Sequence, residues 1–164
     1  MTFIIFILFV IFLRIGELLL SKRNEIWLLR NGAVEYGQKH YPFIVALHVS
    51  FFIAVIFENY TKQTASYSLF FLILYFVIIA FKVFIVLSLG KFWNAKIYHI
   101  SGIPLQKKGL YKYIKHPNYM IVVAEIAVIP LAFHLYFTAI IFSLLNAIML
   151  YIRIKTENRV LKIN

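Results

Sequence analysis

The sequence predicts an all-α integral membrane protein with five transmembrane helices, a folded cytoplasmic loop and a short C-terminal helix. Of its 164 residues, 63% are hydrophobic and only 14% are charged, against roughly 25% charged residues in soluble domains. The mean hydropathy is +0.86. Because so few charges cannot cover the surface of a soluble domain, that class is excluded. The absence of cysteine from the sequence excludes disulfides, thiolate nucleophiles and cysteine-ligated metals.

Five apolar segments are predicted to cross the bilayer, whose hydrocarbon core is roughly 30 Å thick. They cover about residues 2–20, 42–57, 66–89, 118–133 and 136–152. The last two come from one apolar block that is too long for a single crossing, and Pro130 and His134 mark the turn between them. The whole chain, residues 1–164, is predicted to form a single membrane domain.

The net charge of +11 is concentrated in three segments, residues 21–41, 90–117 and 153–164, which hold most of the lysines and arginines. With five crossings, these segments all fall on one side of the membrane. The positive-inside rule then predicts an N-terminus outside the cell and a cytoplasmic C-terminus. Since topology accounts for the charge, nucleic acid is not expected as a partner.

Charged residues inside the predicted spans are candidates for function, because burying charge in a bilayer is costly. Arg14 and Glu17 are three residues apart on one helix and are expected to pair. Lys82, near the end of its span, is expected to extend its amino group towards the interface. Glu125 has no basic residue at helical spacing within its span, so it should find a partner on another segment. We predict a catalytic role for Glu125 near the active site.

The basic loop of residues 90–117 is long for a connection in so small a membrane protein and is rich in aromatic and branched side chains. It is predicted to fold as a lid or cofactor-binding segment. Pro117 should begin the fourth helix, whose free amides could hold an anion beside His116. Arg153 and Glu157 are four residues apart, so both can face one site. The five histidines form no recognisable metal-ligand motif, and no metal is expected.

Two motifs resemble the isoprenylcysteine carboxyl methyltransferase family of membrane methyltransferases. They are Gly109-x-Tyr111-x-Tyr113-x-x-His116-Pro117-Asn118-Tyr119 and Arg153-Ile154-x-x-Glu157. The likeness begins near Leu89 and continues to the C-terminus. A looser likeness to the short bacterial branch, some members of which accompany type III polyketide synthases and O-methylate alkylpyrones or related lipidic phenols, involves Arg14-x-x-Glu17, Asn24, Gly32-Ala33-x-Glu35 and His40-Tyr41-Pro42.

The resemblance implies S-adenosylmethionine as cofactor, bound by the cytoplasmic loop and the C-terminal helix. It also implies that Glu157 acts near the cofactor and that Arg153 contacts the substrate as a catalytic residue. Many relatives have two consecutive acidic residues where this chain has Glu157-Asn158. The implied cofactor-binding residues are Ile103, Pro104, Leu105, Gln106, Tyr111, His116, Pro117, Asn118, Tyr119 and Glu157.

The predicted activity is therefore transfer of a methyl group to a carboxylate, acidic enol or phenol oxygen of a lipophilic substrate that enters from the bilayer. A dry, preorganised site favours such a reaction, because charge is neutralised as the anionic oxygen attacks. Two alternatives stay open. One is a phospholipid amine N-methyltransferase, in which Glu125 or His116 would serve as general base. The other is a non-enzymatic carrier or assembly protein with Arg14, Glu17, Lys82 and Glu125 along a polar path.

Overall fold

The computed structural model describes residues 1–63, 66–103 and 108–160. Within these ranges the chain forms five α-helices and two short strands. The helices are α1 (Thr2–Arg30), α2 (Tyr41–Lys62), α3 (Leu69–Leu89), α4 (Pro117–Leu131) and α5 (Tyr136–Val160). The strands are β1 (Val34–Tyr36) and β2 (Ile97–His99), and short 3-10 turns cover Gly90–Phe92 and Gly109–Lys112.

Four helical segments are long and apolar enough to cross a membrane, namely α1, α2, α5 and α3 with the 3-10 turn that follows it. Helix α4 is apolar but has only 15 residues. It therefore rises about 22 Å, short of the roughly 30 Å of a hydrocarbon core. The predicted helical membrane class is confirmed with four candidate spans, while the fifth crossing stays a prediction.

Three helices are longer than predicted, and α1 and α5 have the two largest extensions. Helix α1 continues ten residues past the predicted end at residue 20, and α5 includes the residues expected to form a separate C-terminal helix. Neither extension contains glycine or proline, and both consist mainly of residues compatible with a helix. The fall in hydropathy marks where the apolar sequence ends, not where the backbone stops being helical.

Aromatic side chains fill the centre of the helix bundle. Phe6 of α1 meets Tyr75 of α3 edge to face, with ring centroids 5.0 Å apart. Phe51 of α2 meets Phe142 of α5 in the same way at 5.5 Å. These side chains belong to one buried cluster that also includes Ile129 of α4. Burial of such rings removes a large apolar area from solvent or lipid and stabilises the helix packing.

The connections divide between two ends of the bundle. At one end, Ser68 before α3 donates its backbone N–H to the carbonyl of Ala132 after α4 over 2.8 Å. At the other end, β1 pairs antiparallel with β2, with Val34 opposite His99 and Tyr36 opposite Ile97. We call this second end the loop end. It brings together the connection after α1, the segment after α3 and the C-terminal part of α5, the three regions in which the sequence places most of its positive charge.

Glu58 of α2 caps the first turn of α5 at the end opposite the loop end. Its carboxylate accepts backbone N–H groups of Phe137 at 3.3 Å and Thr138 at 2.8 Å. These amides have no partner within their own helix. Because Glu58 is buried, its negative charge also interacts favourably with the positive end of the α5 dipole.

Replacing Glu58 with alanine should destabilise the protein by about 1–2 kcal/mol, because two amides at the start of α5 lose their acceptor. Thermal unfolding in detergent should show a lower Tm. Glu58→Gln keeps one acceptor oxygen and should lose less stability. Equal Tm values for wild type and Glu58→Ala would contradict the capping role.

Candidate active site

The extension of α1 beyond residue 20 fixes the segment that follows α3. The Asn24 amide donates hydrogen bonds to the carbonyl of Trp93 at 2.7 Å and to that of Gly90 at 3.1 Å. The Ser21 hydroxyl donates to the side chain of Asn94 at 3.0 Å and accepts the backbone N–H of Ala95 at 3.0 Å. These contacts hold residues 90–95 in one conformation across the end of the bundle.

The strand pair extends this support. Lys96 bridges two carboxylates, with its Nζ 3.1 Å from Glu25 of α1 and 3.3 Å from Glu35 of β1. Tyr98 donates its hydroxyl to Glu35 at 3.1 Å. Burial, together with the adjacent Glu25 and Glu35, raises the pKa of Tyr98. Its hydroxyl therefore stays protonated at neutral pH and acts as a donor.

Gly109 starts the 3-10 turn that carries Tyr111 and lies directly against the end of α3. Its φ of +55° is in the left-handed region, and a Cβ at this position would lie 2.3 Å from Ser88 Oγ. Only glycine meets both conditions without displacing the helix end. The first glycine of the family-like motif therefore has a packing function.

A cavity of about 360 Å³, which we call the loop cavity, lies among the loop end of the bundle, β2 and the end of α5. Its walls include seven of the predicted site residues: Ile103, Tyr111, His116, Asn118, Tyr119, Arg153 and Glu157. The volume is within the range of small-molecule sites. The structure thus brings the two sequence motifs, which are far apart in the chain, to one cavity.

A chain of hydrogen bonds joins α5 to α4 along the wall of this cavity. Arg153 Nε donates to the Tyr119 hydroxyl at 2.9 Å, and that hydroxyl donates to Glu157 Oε2 at 2.5 Å. Arg153 also donates through Nη2 to the carbonyl of Ala95. Arg153 is buried, and these hydrogen bonds fix its guanidinium between α4 and the segment after α3.

His116 is held at the start of α4 by two consecutive residues of α5. Its Nδ1 lies 3.4 Å from Glu157 Oε2, and its Nε2 donates to Asn158 Oδ1 at 3.1 Å. The hydrogen bond with Glu157 raises the pKa of His116 above its ordinary value, against burial and nearby Lys115. Asn158 thus supplies the second acceptor for the protonated ring.

A second cavity, of about 450 Å³, lies between the helices and is lined mainly by apolar side chains of α1, α2, α4 and α5. We call it the helix cavity. Four residues line both cavities, and we call them the junction: Trp93, Asn118, Tyr119 and Arg153. The site therefore has a compartment at the loop end and a compartment within the bundle that meet around one fixed cation.

Four charged residues form a group within the bundle, here called the charge cluster: the buried Lys82 and Glu125 and the half-buried Arg14 and Glu17. Arg14 contacts Glu17 at 2.9 Å and Glu125 at 2.8 Å. Lys82 contacts Glu17 at 2.5 Å and Glu125 at 3.1 Å. The expected pairing of Arg14 with Glu17 and the expected partner of Glu125 on another segment are confirmed.

The expected orientation of Lys82 is wrong. The residue is 4% exposed and its amino group turns inward to two carboxylates. Two carboxylates within ion-pair distance offset the cost of burying the ammonium, whereas extension towards the interface would leave them unpaired. Glu125 is 1% exposed and is not among the residues that line either cavity. Its predicted catalytic role would therefore be exerted through Arg14 and Lys82.

Three buried polar atoms of the loop cavity lack a hydrogen-bond partner among the described residues: Trp93 Nε1, His99 Nε2 and Asn118 Oδ1. Each such atom costs about 1–3 kcal/mol unless a ligand or water satisfies it. Sequence reasoning missed Trp93 and His99 as site residues. Trp93 follows a predicted span closely, where interfacial aromatic residues are common, and a lone histidine in a three-residue strand gives no sequence signal.

Four further residues were predicted to bind the cofactor: Pro104, Leu105, Gln106 and Pro117. Pro117 is buried and begins α4, as expected. Pro104, Leu105 and Gln106 lie outside the described residues, so their predicted role stays a prediction.

Taken together, the fold and the site define a helical membrane protein with a cavity at one end that contains several polar side chains and that joins a more apolar cavity between its helices. The comparisons with known proteins agree. The model of the isoprenylcysteine carboxyl methyltransferase (ICMT) family matches residues 69–163, and the chain belongs to this family of membrane methyltransferases. Its members in general use S-adenosylmethionine.

Two curated bacterial relatives extend over most of the chain. The uncharacterized protein YpbQ of Bacillus subtilis (strain 168) is 38% identical over 151 residues, covering 91% of this chain and 90% of the relative. An uncharacterized protein of Haemophilus influenzae is 30% identical over 149 residues, covering 88% and 86% respectively. No solved structure matches the chain.

The raised pKa of His116 predicts a pH-dependent stability. A histidine whose folded-state pKa exceeds the ordinary value of about 6.5 contributes stability that is fully present below that pH. The contribution is lost as pH rises through the raised value, because the ion pair with Glu157 disappears. As the pH rises through the pKa of His116, the Tm of the wild type should fall more than the Tm of His116→Asn. Thermal unfolding in detergent measures both.

A matched control is His134→Asn, which changes a histidine in the turn after α4 at the opposite end of the bundle. This variant should keep the pH dependence of the wild type. An unchanged pH dependence in His116→Asn would show that the pair with Glu157 does not contribute.

Proposed function

We propose that this protein transfers a methyl group from S-adenosylmethionine to an oxygen of a lipophilic substrate. The observation that carries the proposal is the meeting of the two cavities at the junction. A polar cofactor can reach the loop cavity from the aqueous side, while a lipid can occupy the apolar helix cavity. A reaction between them is then confined to the residues that both cavities share.

The side chains of the loop cavity suit this cofactor. The indole N–H of Trp93 is a donor and the amide oxygen of Asn118 is an acceptor, so together they can satisfy a base and an ammonium group. The Glu157 carboxylate has further acceptor capacity beside its bonds to Tyr119 and His116. Tyr111 supplies an aromatic face on the same wall. We assign these residues and His99 to cofactor binding.

Arg153 is proposed to orient the methyl acceptor. When bound, S-adenosylmethionine supplies a methyl on a sulfonium sulfur, which an acceptor oxygen takes by forming a C–O bond as the C–S bond breaks and leaves its electron pair on sulfur. The guanidinium, fixed by Tyr119 and Ala95, offers a cation at which an anionic oxygen can be held. Such positioning removes much of the entropic part of a reaction barrier.

The state of the candidate bases favours oxygen over nitrogen as the acceptor. An amine must reach the site neutral, so its methylation depends on a general base. The Glu125 carboxylate is held by Arg14 and Lys82, and His116 is held by Glu157 and Asn158. A carboxylate or acidic enol arrives already ionised and needs a cation more than a base, which Arg153 provides.

Incubation of membranes with methyl-labelled S-adenosylmethionine, followed by mass spectrometry of the lipid fraction, should reveal a methyl group on an oxygen. Arg153→Met should lower this transfer by about a hundredfold, because the acceptor loses its positioning cation. Binding of the cofactor, measured by calorimetry in detergent, should persist in Arg153→Met. Label on nitrogen, or no labelled lipid, would contradict the proposal.

Glu157→Ala should impair the binding of the cofactor itself, since this residue is assigned to the cofactor. It should abolish cofactor binding while the protein remains folded. Lys155→Ala is the matched control, because Lys155 is an exposed charge on the same helix and should leave binding intact. An unchanged affinity of Glu157→Ala for the cofactor would contradict the assignment of the loop cavity to cofactor binding.

We also propose that the loop end lies on the cytoplasmic side, on the basis of its basic segments and the positive-inside rule. The chain has no cysteine, so single cysteines can report topology. In intact cells, a membrane-impermeant maleimide should label Tyr60→Cys and should label Lys108→Cys only after permeabilisation. The opposite pattern would reverse the orientation.

A further inference from the structure

A repeated spacing links the junction to the interior of the bundle. On each of the five helices, a residue towards the loop end is separated by seven positions from a polar side chain further along the helix, towards the interior of the bundle. The pairs are Ser21 and Arg14 on α1, Tyr41 and His48 on α2, Leu89 and Lys82 on α3, Asn118 and Glu125 on α4, and Arg153 and Asn146 on α5. We call the five inner residues the polar layer.

This spacing places the polar layer at a defined depth. Seven residues are almost two turns, so each pair stays on nearly one helix face and is separated by about 10 Å. Ser21 and Arg153 both contact Ala95. Tyr41 lines the helix cavity and Leu89 lines the loop cavity, in each case together with Asn118 and Arg153, so the outer residues surround the junction. Because all five helices give the same rise, the layer lies about 10 Å inward of the junction.

The polar layer opens onto the helix cavity. Arg14, His48, Lys82 and Asn146 line it, and Glu17 lies beside them. The side chains of Arg14 and Glu17 keep 18% and 23% of their area exposed, although most of the cavity wall is apolar. A plain hydrocarbon chain passing this level would cover polar groups without offering them a hydrogen bond, which costs free energy.

The polar layer together with Glu17 offers hydrogen bonds but carries no net charge. Arg14 and Lys82 are balanced by Glu17 and Glu125. Two of the five N–H donors of Arg14 are used in its ion pairs. His48 Nδ1 lies 2.8 Å from the carbonyl of Ile44 and must donate to it, so Nε2 of the neutral ring is an acceptor. A hydroxyl, which both donates and accepts, matches this combination.

We propose that the polar layer is a specificity site for a hydroxyl group on the lipid chain of the acceptor, about 10 Å from the oxygen that is methylated. This inference rests on the proposed function for the position of the acceptor oxygen at Arg153. It adds that the substrate is a doubly polar amphiphile and not a simple alkyl lipid. Asn146 and His48 are specificity-determining residues, and the charge cluster positions Arg14 for the same contact.

The test uses three fatty acids of equal chain length as probes. The protein in nanodiscs is given an equimolar mixture of stearic acid, 2-hydroxystearic acid and 9-hydroxystearic acid, and the retained acids are quantified by mass spectrometry. The 9-hydroxy acid, whose hydroxyl lies about halfway along the chain, should be retained about five- to tenfold over stearic acid, the value of one satisfied hydrogen bond. The 2-hydroxy acid should show no such preference.

Retention and methyl transfer are measured separately, so the two proposals can fail independently. If the 9-hydroxy acid is preferred but no methyl ester forms with labelled cofactor, the specificity site stands and a carboxylate acceptor is rejected. Equal retention of the three acids, retention of none, or equal preference for the 2-hydroxy acid would overturn the specificity site.

Asn146→Leu removes the amide without removing a charge, so the preference for the 9-hydroxy acid should fall to about onefold. His48→Phe is a second variant of the same kind and should also lower the preference. Ser143→Ala is the matched control, because Ser143 is a polar residue of α5 that is not among the residues lining either cavity. If both layer variants keep the preference of the wild type, the proposal is overturned.

Discussion

The hydrogen bonds of Arg153 are the interaction that joins the two cavities into one site. Its guanidinium is held by the hydroxyl of Tyr119 on α4 and by the carbonyl of Ala95. Ala95 is in turn fixed by Ser21, because α1 extends far enough to reach it. Three distant parts of the chain therefore converge on one cation. The loop cavity and the helix cavity meet there because the same side chains form a wall of both.

A second constraint acts inside the bundle. Four charged side chains, two of them buried and two half-buried, are tolerated within the bundle because each carboxylate of the charge cluster contacts two cations. Removing one member would leave an uncompensated charge, which typically costs about 3–5 kcal/mol. The cluster therefore ties α1, α3 and α4 together at a fixed depth, and its neutrality leaves a surface suited to an uncharged polar group.

Much of the fold follows from the sequence because its main signals are local. Runs of apolar residues located all five helices. The turn predicted at Pro130 and His134 lies at residues 132–135, so it includes His134, whereas Pro130 is still inside α4. Hydropathy could not predict the length of α1, since residues 21–30 are helical for reasons of propensity and contact. The pairing of Val34 with His99 also could not be predicted from the sequence, because strands of three residues are too short to show a periodic pattern.

The candidate site was predicted in part, for a similar reason. His116, Tyr119, Arg153 and Glu157 carry the family-like motifs, and they meet in one cavity. The contributions of Trp93 and His99 depend on where the segment after α3 is held, which only the contacts of Asn24 and Ser21 show. The direction of Lys82 likewise depended on the position of Glu125 on another helix.

The most direct test of the account is an experimental structure of the protein with S-adenosylhomocysteine, the product that remains after methyl transfer. The account predicts that the adenosine and amino acid parts occupy the loop cavity and that the sulfur lies at the junction, beside Tyr119 and Arg153. A sulfur atom elsewhere, or a ligand outside the loop cavity, would contradict the claim that the two cavities are the two halves of one active site.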